Sequence, residues 1–158
     1  MYLFLHNEKW KSEFEDEKDS IISTYKGEIE IFHIGSTAIK GLYAKDCIDL
    51  LGVVKDISKV STLKQCIVNL GFIYRGENGI TGREYFSKKQ RKVHFHIFQS
   101  GDINVEKYLN FVKVMKNNVV LITELNQIKH DLHAKYPKDK ESYQNKKEFF
   151  YNRINKVL

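Results

Sequence analysis

Three short stretches of this chain hold residue types that do chemistry. Gly35-Ser36 stands where a β-rich run gives way to a turn. Glycine permits a positive φ and close backbone approach, and a serine there either caps the next turn or contacts a phosphate. Asp49 interrupts the apolar run Cys47-Ile-Asp-Leu-Leu51. A carboxylate in a buried strand is costly unless paired, with Lys45 as one partner, or bound to a metal. His94 and His96 are two residues apart, so on a strand both imidazoles project to one face and supply half of a transition-metal site. His33 lies on the run that ends at Gly35. If these strands are neighbours, Asp49, His94, His96 and His33 form a His/Asp metal cluster. Asp49, His94 and His96 are then also the candidate catalytic acid/base groups. Gly35, Ser36, Thr37, Lys45, Arg83 and Arg91 are the candidate phosphate-binding residues. The competing reading makes the serine a cap and the basic residues solvated.

Those residues need a scaffold, and hydrophobic periodicity outlines one. Asn7 to Thr24 reads as a helix with Asn7 as N-cap and Trp10, Phe14 and Ile21 near one face. Glu28 to Ile34 alternates like a strand. Cys47 to Val54 is nearly continuously apolar, as a central strand is. Ser58 to Leu70 carries apolar residues at helical spacing, and Gly71 ends it. Phe72 to Arg75, Arg83 to Lys88 and Lys92 to Gln99 read as strands, joined by turns at 77–82 and 88–91. Three helices follow, marked by Tyr108–Met115, Leu121–Leu132 and Tyr143–Val157, with Pro137 between the last two. The expectation is one α+β domain over residues 1–158: a mixed sheet of four or five strands, flanking helices and a C-terminal helical cap.

Bulk composition narrows the function. At 42% apolar and 29% charged, the 158 residues suit an ordinary globular core. No run of 18 apolar residues exists, so no membrane span is expected. The N-terminus lacks the basic start and long apolar core of a signal peptide, which points to the cytoplasm. Cys47 and Cys66 lie in apolar runs and read as reduced core thiols. The net charge of +6 permits a phosphate-bearing partner. The lysines interleave with acids and form no aromatic-basic stripe, so nucleic acid is not the expected partner.

The chain resembles the GrpB family, an uncharacterised group of bacterial proteins. The segment His33-Ile-Gly-Ser-Thr-Ala-Ile-Lys-Gly-Leu-Tyr-Ala-Lys45 with Asp49 is similar to that family's signature, His-Ile-Gly-Ser-Thr-Ala-Val-Pro-Gly-Leu-x-Ala-Lys-Pro-x-x-Asp. Lys40 and Asp46 stand where the family usually has proline. Arg91-Lys-Val-His94-Phe-His96-Ile resembles its Arg-x-x-His-Leu-His-Val, and Tyr143, Lys147 and Phe150 are spaced like its last helix. The family groups by fold with nucleotidyltransferases, and its domain also occurs fused to dephospho-CoA kinases. The resemblance therefore implies a nucleotidyltransferase-like fold, a nucleotide or phosphorylated small molecule as ligand, and a divalent metal (Mg, Mn or Zn). Metal-dependent transfer is one activity it implies. A catalytically inactive nucleotide- or CoA-binding module is the alternative. The superfamily pattern wants a second strand carboxylate two residues before Asp49, and Cys47 stands there. A His/Asp site suits a transition metal better than Mg²⁺.

Overall fold

The computed structural model describes residues 3–156. Helix α1 (Lys9–Thr24) leads into strand β1 (Glu30–Ile34), a short 3₁₀ turn (Ser36–Ala38) and strand β2 (Ile48–Val54). Helix α2 (Val60–Val68), strands β3 (Ile73–Tyr74), β4 (Glu84–Lys88) and β5 (Val93–Gln99), and helices α3 (Ile103–Met115), α4 (Val119–Lys135) and α5 (Lys140–Asn155) follow. The α+β reading holds, with five strands in the order β1-β2-β5-β4-β3. Neighbours are antiparallel except β2 and β5, which run parallel at the centre.

Element ends differ from the periodic reading for local reasons. The N-cap of α1 is Glu8, one residue later than expected, and Asn7 Oδ1 accepts from Lys9 N at 3.0 Å just ahead of it. The helix predicted from Ser58 begins as a 3₁₀ turn, because Asp56 Oδ1 accepts from Ser58 N at 3.0 Å. Arg83 lies just outside β4, and β3 keeps only two residues of its predicted run. Val157, assigned to the last helix, lies outside the described residues.

Strand parity divides the sheet's two faces. Ile31, Leu50 and Phe95 point to one face and bury against Trp10, Phe14 and Ile21 of α1 and Val60 and Ile67 of α2. Ile34, Leu51 and Phe98 point to the other, where Tyr108 and Leu109 of α3 pack. Helices α3, α4 and α5 form a third core with Ile39 and Leu42 of the β1–β2 connection. The starts of β2 and β5 on the α3 face, lying before the Leu51 and Phe98 that α3 covers, open into a cleft beneath α4 and α5. No helix among the described residues is long and apolar enough to cross a membrane.

Candidate functional site

The site grows from the parallel register of the two central strands. Asp49 pairs with His94 across β2 and β5, and Leu51 pairs with His96. Asp49, His94 and His96 therefore share one face, and Cys47 precedes Asp49 by two residues. His94 Nδ1 lies 3.4 Å and His96 Nε2 3.3 Å from Asp49 Oδ1. Burial would raise the Asp49 carboxyl's pKa, but contacts from His94 and His96 prevail and hold it well below the usual carboxylate range. Asp49 thus faces these two imidazoles and not Lys45.

Gly35 shapes the other side of that carboxylate. Its φ of 73° and ψ of −171° belong to a region essentially restricted to glycine. A Cβ there would come within 3.0 Å of Asp49 Oδ2.

The two histidines differ in what they can reach. The His96 side chain is 10% exposed and that of His94 37%. Arg83 is buried, and its Nη1 contacts His96 Nδ1 at 3.1 Å. A guanidinium only donates, so Nδ1 accepts and the ring proton sits on Nε2, aimed at Asp49. His96, expected among the metal ligands, has a protein partner at each ring nitrogen. Arg83, expected among the phosphate ligands, turns its guanidinium to His96. It also donates to the carbonyls of Glu77 at 3.0 Å and Asn78 at 2.9 Å, behind the histidine.

His33 departs from expectation through parity. It pairs with Leu50, and Ile34 takes the place beside Asp49. Its ring therefore points to the α1 face, stacked on Phe14 with centroids 4.6 Å apart. Burial lowers its pKa to about 4 despite the Asp49 charge. Its Nε2 lies 3.0 Å from the hydroxyl of buried Thr37, so it holds the turn and does not join the cluster.

Arg91 is also a brace. It pairs with Glu13 of α1 and with Asp46 Oδ1 at 2.9 Å, while Trp10 Nε1 donates to the same Asp46 oxygen at 2.8 Å. These contacts pin the start of β2 to α1. Arg91→Ala should cost about 1 kcal/mol of stability. Its affinity for phosphate ligands should match that of the wild-type chain. Urea unfolding together with calorimetric titration of ATP tests both, and a lost affinity would return Arg91 to the site.

A cleft of about 810 Å³ opens over Gly35, Ser36, Asp49 and His94. Six lysines and two aspartates line it: Lys45, Lys92, Lys129, Lys138, Lys140 and Lys147 against Asp46 and Asp49. Sequence reasoning assigned only Lys45 of these lysines a role. Burial, then the charges of Lys147, Lys140 and Lys92, lower the Lys45 pKa to about 8. Burial lowers that of Lys147 to about 8, with Asp49 opposing. Lys129 is fully buried, which drives its pKa well down, and Lys147 and Lys45 add to the effect. Lys129 Nζ lies 2.6 Å from Ser36 Oγ and donates to Tyr43 O at 2.7 Å. Lys45 and Lys147 flank the Tyr143 ring at 5.0 and 5.2 Å. The missed signal was a lysine on an inward stripe. Lys129 follows Leu125 by four residues, and Lys147 lies between Tyr143 and Phe150 at helical spacing.

The mixed five-stranded sheet with its flanking helices is shared with proteins of nucleotidyltransferase-like fold. The chain superposes on the poly(U) polymerase Cid1, whose structures include MgATP- and MgGTP-bound forms. The TM-score is 0.58 at 11% identity, over 82% of this chain and 44% of that one. A likeness at that identity establishes the fold alone. The family model described as GrpB protein matches residues 2–157, and the chain belongs to the GrpB family. GrpB from Enterococcus faecalis superposes with a TM-score of 0.91 at 28% identity, covering 99% of this chain and 96% of that one. The UPF0157 protein YqkA of Bacillus subtilis is 35% identical over 144 residues. These cover 89% of this chain and 42% of that protein's length.

Proposed function

We propose that this cleft binds the phosphates of a nucleotide or phosphorylated small molecule. The supporting observation is the convergence of Lys45, Lys129 and Lys147 beside Ser36, from three separate elements. Gathering one buried and two half-buried lysines together is unfavourable unless an anion neutralises their charge. Lys45 and Lys147 supply charge to the phosphate oxygens. Lys129 fixes the Ser36 hydroxyl at the cleft wall. Tyr143, fully buried beneath both lysines, supports them at the cleft wall.

The donors do not fit the two-metal transfer chemistry that the fold implies. That reaction needs paired carboxylates for hard divalent ions. Asp49 has Cys47 two residues before it, and Asp46, at the cleft edge, gives its Oδ1 to Trp10 and Arg91. The proposed function is accordingly binding, without transfer.

A thermal-shift series with ATP, inorganic triphosphate and adenosine tests this. ATP or triphosphate at a hundred times its Kd should add about 2.7 kcal/mol, a rise in Tm of about 5–10 °C. Adenosine should add far less. Equal shifts for all three, or none, would refute a phosphate site. Pyrophosphate release from nucleoside triphosphates with Mg²⁺ would refute the binding-only reading.

A further inference from the structure

A phosphate cleft with a carboxylate in its lining poses an electrostatic problem. Asp49 repels the anion that the lysines attract, and a cation between them removes the conflict. We infer that Cys47, Asp49 and His94 form a mononuclear site for a thiophilic transition-metal ion such as Zn²⁺. The electrostatic motive rests on the phosphate-site reading, whereas the donor geometry does not.

The geometry supports the donor set. One atom each from Cys47, Asp49 and His94 lie within 4.8 Å of one another. Bonds of about 2.0 Å to N and O and 2.3 Å to S put the edges of a tetrahedron at about 3.3–3.6 Å. The 3.4 Å between His94 Nδ1 and Asp49 Oδ1 already matches such an edge. It is longer than an ordinary N–H···O hydrogen bond. The three residues sit at the starts of two adjacent parallel strands, in a register fixed by the sheet.

The surroundings resemble a built outer shell. His96 Nε2 faces Asp49 Oδ1 at 3.3 Å, Arg83 fixes that ring, and Gly35 lets the carboxylate lie close to the backbone. Such partners orient ligands without touching the metal. Three protein ligands leave a fourth position, which is how catalytic and ligand-binding zinc sites differ from closed structural ones. Cys47, Asp49 and His94 line the same cleft as Lys45 and Lys147. Thiolate with imidazole selects Zn²⁺ or Co²⁺, whereas Mg²⁺ and Ca²⁺ demand oxygen. The site therefore replaces the paired-carboxylate pattern of the fold with a softer set.

Titration of the chelator-treated full chain with Co²⁺ alone tests the inference. Co²⁺ should produce an intense near-ultraviolet thiolate-to-metal charge-transfer band and visible bands of tetrahedral strength. Zn²⁺ should abolish both stoichiometrically, and millimolar Mg²⁺ should not. Cys47→Ser should remove the charge-transfer band and weaken Zn²⁺ binding by more than about 100-fold. His94→Gln should weaken it comparably while keeping the thiolate band. His96→Gln should keep the band's position and weaken binding less. Absence of the band in the wild-type chain, or its persistence in Cys47→Ser, overturns the site. Cys47→Ser is near-isosteric, and its circular dichroism verifies folding. ATP binding is read separately, on the chelator-treated and on the Co²⁺-loaded chain. Retained ATP binding without a thiolate band refutes the metal alone, and absence of ATP binding in both states with the band present refutes the phosphate site.

Discussion

Gly35→Ala should lower the melting temperature by about 4–12 °C and weaken ATP binding at least tenfold. Two effects add at this position. The first is backbone strain: φ 73° with ψ −171° is a conformation alanine adopts only at a cost of about 1–3 kcal/mol. The second is a collision, since the new Cβ would lie 3.0 Å from Asp49 Oδ2. The carboxylate must then shift, and its contact with His96 Nε2, 3.3 Å from its other oxygen, is disturbed. A total near 2–3 kcal/mol corresponds to the stated loss at 2–4 °C per kcal/mol for a chain of this size. Gly101→Ala separates the two effects. Gly101 also has a positive φ, 92°, but a Cβ there meets nothing within 4 Å. It should lose stability from strain alone and bind ATP normally. Calorimetric melting and ATP titration of both variants give the comparison. Equal behaviour of the two would show that Gly35 does not shape the site.

The sequence made the central strands legible because their burial is local information. Cys47 to Val54 is apolar on both faces, and only a strand buried on both sides needs that. Asp49 stood out against this background, and His94 and His96 declared a shared face by their spacing alone. What escaped was everything that depends on register between strands. His33 and Asp49 are on neighbouring strands, as expected, yet pairing of Ile34 with Asp49 sends the His33 ring to the α1 face. One residue of register decides that, and no periodicity within β1 encodes it. The same applies to Arg83 and Arg91, whose partners His96 and Glu13 are 13 and 78 positions away. Lys129 and Lys147 were hidden differently. Charged residues on helices are usually solvated, and only the packing of α4 and α5 over the β1–β2 connection turns these two inward. The cleft is therefore half strand-encoded and half assembled by tertiary contact. Its metal-ligand candidates come from the first half and its lysines from the second.

That second half has a pH signature. The Lys147 amine titrates at about 8 in the folded chain, against the usual 10.5. Between those values the unfolded chain holds a proton that the folded chain has released, so stability rises with pH across that window. The penalty for burying the charged amine is fully present below pH 8 and gone above 10.5. Lys45, also at about 8, acts in the same direction. A polyanion reverses the preference, because it binds the protonated amines. ATP affinity should therefore fall as pH rises above 8, by up to tenfold per pH unit for each amine that takes up a proton on binding. The terminal phosphate of ATP, with a second pKa of about 6, is already fully ionised there and does not contribute. Lys147→Met should weaken ATP binding about 10–100-fold at pH 7, equivalent to the 1.5–3 kcal/mol of a hydrogen bond to a charged group. Lys147→Arg should keep most of the affinity and shed one proton's share of the slope, since a guanidinium stays charged throughout. Titrations of the three proteins from pH 7 to 9.5 measure this directly. A flat wild-type profile would mean that the buried lysines face something other than phosphate.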